Sequence, residues 1–412
     1  MDLRPLRHRD FRLLLIGQFV SFFGSMITYV ALPYQIYQLT HSSLAVGAAG
    51  VVELAALLST AFVGGAFADA MDRRKLLLGA ELLLTLAGLL LMGNSMLAEP
   101  SLWLIYVLAA VMSALNGFHR PALEALTPRL VPPEQIGGVV ALSSLRNTVS
   151  MIGGPAVAGL LIANAGLSWT FGVDVGTFVV SLGALSMMRS VPAPSDAAPP
   201  SLARVIEGFR YAISRQELLG TYVVDIVAMV FGMPTALFPA LAESRGWVQS
   251  IGWLYAAAPA GALVATLTSG WTRSINRHGM AIAIAASVWG LAIACVGLTE
   301  SLPAVLSLLA LAGAADMVSG LFRGRIWNET IPDHLRGRLA SIELVSYSSG
   351  PLLGNAEAGL AASALGLRGS ILSGGILCIA AVGICLYFLP RFARYDAHAY
   401  LAQSPSPPSP AP

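Results

Sequence analysis

Seven ionisable side chains sit inside long apolar stretches of this chain: Glu53, Arg146, Asp174, Asp225, Asp316, Glu343 and Glu357. A charged group at the middle of a bilayer costs at least ~2.5–3.5 kcal/mol, so each must pair or do work. Desolvation disfavours an ionised carboxyl. An acid such as Asp225 or Asp316 can therefore load a proton on one side of a membrane and release it on the other. Arg146 reads as the partner of an acid or as a seat for an anionic solute. Glu81 lies near one end of its stretch and reads as support for the adjoining loop. Other chemistries are missing. Lys75 is the only lysine and no Gly-x-x-x-x-Gly-Lys-Ser/Thr loop occurs, so ATP is not the direct fuel through that motif. Cys295, Cys378 and Cys385 have no Cys or His at metal spacing, and the six histidines are scattered. No metal site or cofactor is expected. No nucleophile–base pair is apparent either, which argues against an enzyme.

These groups are carried on apolar stretches of about the ~20 residues that cross ~30 Å of hydrocarbon. The spacing predicts twelve helices near 11–33, 44–68, 75–97, 101–119, 137–163, 168–188, 217–241, 249–272, 279–298, 302–323, 338–364 and 369–389. Of 412 residues, 56% are hydrophobic and 11% charged, against about 25% charged in soluble domains. All 24 Lys and Arg residues except Arg146, Arg245 and Arg368 fall in termini and alternate gaps. Basic loops stay cytoplasmic, so both termini are expected in the cytoplasm. No patch is basic enough for nucleic acid. Phe11–Leu32 is too long for the apolar part of a signal peptide and is expected to remain as the first span.

The chain divides into two six-helix halves, 1–188 and 217–389, joined by a linker at 189–216 and followed by a disordered cytoplasmic tail at 390–412. Within the linker, Pro192 to Pro200 is too Pro-rich for a helix, and a short amphipathic segment follows to Arg215. The halves repeat each other at one offset. Val131-Pro132 matches Ile331-Pro332, Gly137 matches Gly337, Gly154 matches Gly354, and Ala158-Gly159-Leu160 matches Ala358-Gly359-Leu360. Parallel repeats make two bundles able to rock about a central site.

The loop after the second stretch reads Gly65-Ala-Phe-Ala-Asp69-Ala-Met-Asp72-Arg73-Arg74-Lys75. It resembles the signature of the major facilitator superfamily, with Asp72 where that family often has Gly. The fifth stretch carries Gly153-Gly154-Pro155 and the eleventh Gly350-Pro351, the first similar to part of the antiporter motif of drug/proton exporters. Ile251-Gly-Trp-Leu-Tyr-Ala-Ala-Ala-Pro259, Thr268-Ser-Gly270 and Pro239 to Ala242 resemble the siderophore-exporting branch and related bacterial drug exporters, over about residues 8–395.

The resemblance implies an all-α membrane protein with twelve transmembrane helices in two pseudo-symmetric bundles. It implies that the first, fourth, seventh and tenth helices line a cavity. Asp225 and Asp316 then become proton or substrate sites, with Gln18, Ser21, Ser25, Tyr29, Asn116, Met229 and Met233 lining the cavity. Gly65, Asp69, Asp72, Arg73 and Arg74 would form a gating latch towards the eleventh helix. Glu53 and Glu357, on helices that sit side by side where the halves meet, would join an interface network.

The function expected is secondary export of a siderophore or similar amphiphilic molecule, driven by the proton gradient by alternating access. The protein is expected to act as a monomer in the bacterial inner membrane, with a small-molecule substrate and the bilayer as its partners. Multidrug or macrolide efflux is the nearest alternative, and a non-transporting membrane sensor a second one.

Overall fold

A computed structural model of the protein describes residues 2–191 and 202–397. The elements are α1 (Arg9–Thr40), α2 (Ser43–Ala70), α3 (Arg73–Ser95), α4 (Leu102–Leu126), α5 (Ile136–Ser186), α6 (Leu202–Ser214), α7 (Gln216–Gly232), α8 (Phe238–Ser244), α9 (Ile251–Leu267), α10 (His278–Leu298), α11 (Leu302–Thr330), α12 (Asp333–Phe388) and α13 (Pro390–Ala393). Among the described residues there is no strand. The local signals are those of helix starts: Ser42 accepts the Ala45 N–H ahead of α2, and Ser101 accepts that of Leu104 ahead of α4.

Ten helical runs among the described residues are long and apolar enough to cross a membrane. The third helix shows what surrounds them. Leu82, Leu83, Leu86, Leu89 and Leu90 of α3 are each about half exposed, whereas Leu77, Leu84, Ala87 and Leu91 are buried. An outward stripe of five leucines has no place against water and suits lipid tails. This is a multi-pass membrane protein.

Two of the runs are too long for one crossing. α5 has 51 residues and α12 has 56, about 75–85 Å if straight. Each is broken at a glycine in left-handed extended backbone, Gly166 at φ 82, ψ 172 and Gly366 at φ 74, ψ 170. That region is essentially closed to residues with a Cβ. Each run is thus two helices, which leaves room for the twelve crossings expected. The two glycines also stand at the offset that relates the sequence repeats, so the repeat extends to backbone conformation.

Several boundaries differ from the sequence reading. The expected 217–241 helix stops at Gly232, because Pro234 lacks an N–H; Asn355 in α12 takes over, accepting the Ala236 N–H at 3.1 Å and the Thr235 hydroxyl at 2.5 Å. α1, α4 and α11 run past their predicted ends. The disorder expected from residue 390 is corrected for residues 390–397. Phe392 is fully buried, Tyr395 donates to Glu329 at 2.7 Å, and the Ala397 N–H donates to the Asn276 carbonyl at 3.1 Å. The aromatic residues there bury too much apolar surface to stay solvated. Pro192 to Pro200 and the tail from residue 398 lie outside the described residues.

The halves meet through small residues at the end remote from the chain termini. A methyl group built on Gly47 of α2 would lie 2.6 Å from the Asn355 carbonyl oxygen of α12, and one on Gly359 would lie 2.6 Å from that of Ser43. Across the bundle, a methyl on Gly159 of α5 would lie 2.7 Å from the Gly252 nitrogen of α9. Backbone meets backbone at both places.

Replacing Gly366 or Gly166 by Ala should cost about 1–3 kcal/mol through the forbidden φ. Gly176→Ala, in helical backbone with open space around it, should be neutral or stabilising by up to about 1 kcal/mol. Thermal unfolding in detergent checks both, and equal effects at the three positions would refute the conformational explanation.

Candidate functional site

Two of the intramembrane acids of the second half, Asp225 and Asp316, converge on one cation. Arg323 of α11 forms an ion pair with Asp225 of α7 and lies 3.6 Å from the Asp316 carboxylate on its own helix. Asp316 and Arg323 are seven residues apart, two helical turns, so they share a face. The sequence reading ended this helix at residue 323 and left the arginine in a cytoplasmic loop. The helix instead continues to Thr330 and carries Arg323 inside the bundle. Its side chain is 12% exposed and that of Asp225 13%, whereas 38% of the Asp316 side chain remains accessible. One carboxylate thus anchors the guanidinium and the other faces an open space.

Aromatic contacts join the two halves. Tyr29 of α1 is 40% exposed and meets Tyr255 of α9 edge-on at 5.5 Å. Arg120 of α4 lies 5.4 Å over the ring of Tyr347 of α12, which is itself about half exposed. Asn116 is exposed one turn before Arg120 and donates to the Met112 carbonyl.

Other expected residues sit elsewhere. Gln18 and Ser21 are buried rather than cavity-lining: Gln18 donates to Glu81 of α3 at 2.5 Å. Ser25 is half-buried and returns its hydroxyl to the Ser21 carbonyl. Met229 and Met233 are half-buried and pack against Gly350 and Gly354 of α12. Arg146 is bound by its neighbour Asn147 at 2.9 and 3.1 Å, and no described acid pairs with it. The expected Glu53–Glu357 network does not form. α2 and α12 run antiparallel, with Gly47 beside Ala356 and Gly50 beside Leu352. That register sets Glu53 level with Gly350, about two turns or ~10 Å from Glu357. Asp174 is buried on α5 and accepts from Thr28 at 2.5 Å.

The latch loop turns into its own half. Arg74 donates to the Leu185 and Ser186 carbonyls at 2.8 and 2.5 Å, the open carbonyl end of the second limb of α5. Arg73 is 4% exposed. Asp72 caps α3, accepting from the backbone N–H of Arg74 and Lys75, and Ser190 donates to its other oxygen. A residue that departs from the family pattern thus has a structural task. The side chains of Asp69 and Glu343 lie outside the described residues, as do the surroundings of Gly65.

Comparison with known proteins fits this arrangement. The model of the transmembrane secretion effector family, a branch of the major facilitator superfamily, matches residues 1–410. The chain belongs to that family. It is 32% identical to the enterobactin exporter EntS of Shigella boydii serotype 18 and 31% identical to that of Escherichia coli O1:K1, in each case over 85% of both chains. Among solved structures it resembles a bacterial homologue of the iron transporter ferroportin in an inward-facing state (TM-score 0.69, 16% identity, 95% of this chain and 100% of that one). It also resembles a bacterial homologue of the lysosomal transporter Spinster in an inward-facing, unoccupied conformation (TM-score 0.72, 14% identity, 98% and 100%). At such identities these structures speak for the fold alone. A member of this secretion effector family with exporter relatives is a transporter and not an enzyme.

Two predictions follow from the geometry. Arg323→Gln should destabilise the protein by about 3 kcal/mol, because it strands Asp225 as a buried charge; adding Asp225→Asn should recover most of the loss. Additive effects in a double-mutant cycle of thermal unfolding would break the assigned pair. For Asp72, burial pushes the carboxyl up, but the hydrogen bonds from Ser190, Lys75 and Arg74 more than reverse this, so it lies below its ordinary value. Its stabilisation is therefore present above the unfolded pKa of about 3.9 and is lost as pH falls through the lower folded value. Asp72→Ala should cost about 1 kcal/mol at neutral pH, whereas Asp72→Asn keeps the cap and should remove only the acid-side loss. Melting curves at pH 7 and about pH 3 distinguish the two.

Proposed function

We propose that the protein is a secondary exporter that exchanges protons for a siderophore or a similar amphiphilic small molecule, working by alternating access across a bacterial inner membrane. The observation that carries this reading is the asymmetric triad: Arg323 held by buried Asp225 and shared with accessible Asp316. With Asp316 ionised, the guanidinium is divided between two acids. The accessible Asp316 carboxylate, when ionised, accepts hydrogen bonds from hydroxyl groups of a solute in the space between the halves. A proton on the same carboxylate removes that charge and weakens the hold on the solute. Solute and proton thus compete for Asp316, which is the local requirement for exchange.

The enterobactin exporters among its relatives support a siderophore as the solute. The distribution of Arg and Lys supports cytoplasmic termini. On that orientation the glycine contacts close the external face.

The test is transport in proteoliposomes under an imposed proton gradient, with enterobactin, a macrolide and a cationic dye offered separately. Enterobactin flux that collapses with a protonophore, and that falls at least about tenfold in Asp316→Asn while melting is unchanged, is the expected result. Flux of the macrolide and dye alone would make the protein a drug exporter. Binding without flux of any of the three would make it a sensor.

A further inference from the structure

Among the described acids of the first half, Glu81 is the most deeply enclosed, and the latch, the cavity and the Arg323 triad make no use of it. Its side chain has no exposed surface. It lies on α3 two turns beyond Arg73, inside a span that contains Arg73–Ser95. Three elements reach it. Gln18 Nε2 of α1 donates at 2.5 Å, Ser181 Oγ of α5 donates at 2.9 Å, and His119 Nε2 of α4 lies 3.4 Å away. All three contacts fall on Oε1, and the buried Oε2 has no hydrogen-bond partner.

An ionised carboxylate with one bare oxygen and no permanent cation is an expensive thing to bury. The charged groups on the neighbouring elements are directed elsewhere. Arg74 binds the Leu185 and Ser186 carbonyls, Arg120 lies over Tyr347, Glu124 lies 3.9 Å from Arg120, and Asp174 is held by Thr28 and Thr177. Among the described residues, His119 is the one titratable group that faces Glu81. The imidazole has the position of an intermediary. Its side chain is 13% exposed, and the next residue, Arg120, reaches across to the other half.

We infer that Glu81 is a proton-binding site of the first half, loaded and unloaded through His119 from the space between the halves. The step balances simply. A protonated His119 passes its Nε2 proton to the Glu81 carboxylate, leaving a neutral imidazole and a neutral acid, and the return transfer restores both. Loading removes the charge that draws Gln18 of α1 and Ser181 of α5 towards α3, so occupancy bears on how three helices of this half pack. The site deepens the proton-exchange reading, since it gives each half its own protonatable acid.

Infrared difference spectroscopy of the full-length protein in detergent, followed across the pH range in which it stays folded, tests this without any ligand. The expected result is a protonated-carboxyl band that is lost in Glu81→Gln and kept in Asp316→Asn and Asp225→Asn. In His119→Gln the band should remain but form about tenfold more slowly after a pH jump. An unchanged band in Glu81→Gln, or unchanged kinetics in His119→Gln, would overturn the assignment. Should Glu81→Gln fail to fold, 13C-labelled glutamate in the wild type and His119→Gln replaces it. A labelled band whose titration the His119 change alters supports the site, and the absence of one overturns it. The two proposals fail separately. A titrating Glu81 without gradient-driven flux leaves the site standing and removes the antiporter; flux without a titrating Glu81 does the reverse.

Discussion

Everything in this protein answers to the cost of holding charge where water is scarce. An ionised side chain within the bilayer survives only with a partner or with access to a polar cavity, and the helices are arranged to provide one or the other. Arg323 and Asp225 neutralise each other between α11 and α7. Asp174 takes the Thr28 hydroxyl across the α1–α5 contact, and Glu81 gathers donors from α1, α4 and α5. Asp316 lies beside Arg323 with more than a third of its side chain accessible. Polar contacts therefore choose which helices must touch, and apolar packing fills in around them.

Packing between the halves follows a different rule. Gly47 with Gly359, and Gly159 with Gly252, bring backbones together where lipid offers no hydrophobic drive and close fit must serve instead. The duplication visible in sequence recurs here as matching left-handed breaks at Gly166 and Gly366. Each break turns one long helical run into a pair that folds back on itself. The symmetry of the halves thus rests on two residues that no side chain could replace without strain.

Fold and class were legible because hydropathy period, basic-loop asymmetry and the repeat are properties of the chain read in one dimension. Asp225 and Asp316 were legible for the same reason: an acid in an apolar stretch is conspicuous. Arg323 was not, since a charge at the edge of a stretch reads as its end. The available cue was its seven-residue spacing from Asp316, which places both on one helical face. Glu81 was read as loop support because it lies near the end of its stretch; only the approach of Gln18, His119 and Ser181 from three other helices reveals an interior cluster. The pairing of Glu53 with Glu357 failed on register. Two helices known to be adjacent can slide by two turns without changing either sequence, and the glycine contacts fix that slide.

A consequence for movement emerges from where the pairs lie. The buried ion pair Asp225–Arg323 is confined to the second half, and Glu81–His119 and the Asp174–Thr28 contact are confined to the first. Arg74 also binds within its own half. Across the boundary stand glycine backbones, the Tyr29–Tyr255 edge contact, the Arg120–Tyr347 stack and the exposed pair His41–Glu243 at 3.4 Å. An exposed pair is worth at most about 1 kcal/mol, whereas breaking a buried one costs about 3–5 kcal/mol. Halves that rock as proposed would part small-residue and aromatic contacts while each keeps its buried charges paired. In the exchange proposed above, protonation within a half would reach the boundary through packing. Met229 and Met233, seated on Gly350 and Gly354 of α12 one and two turns beyond Asp225, would supply such a route in the second half. Gln18 of α1, whose helix carries Tyr29 to the boundary, would supply its counterpart in the first.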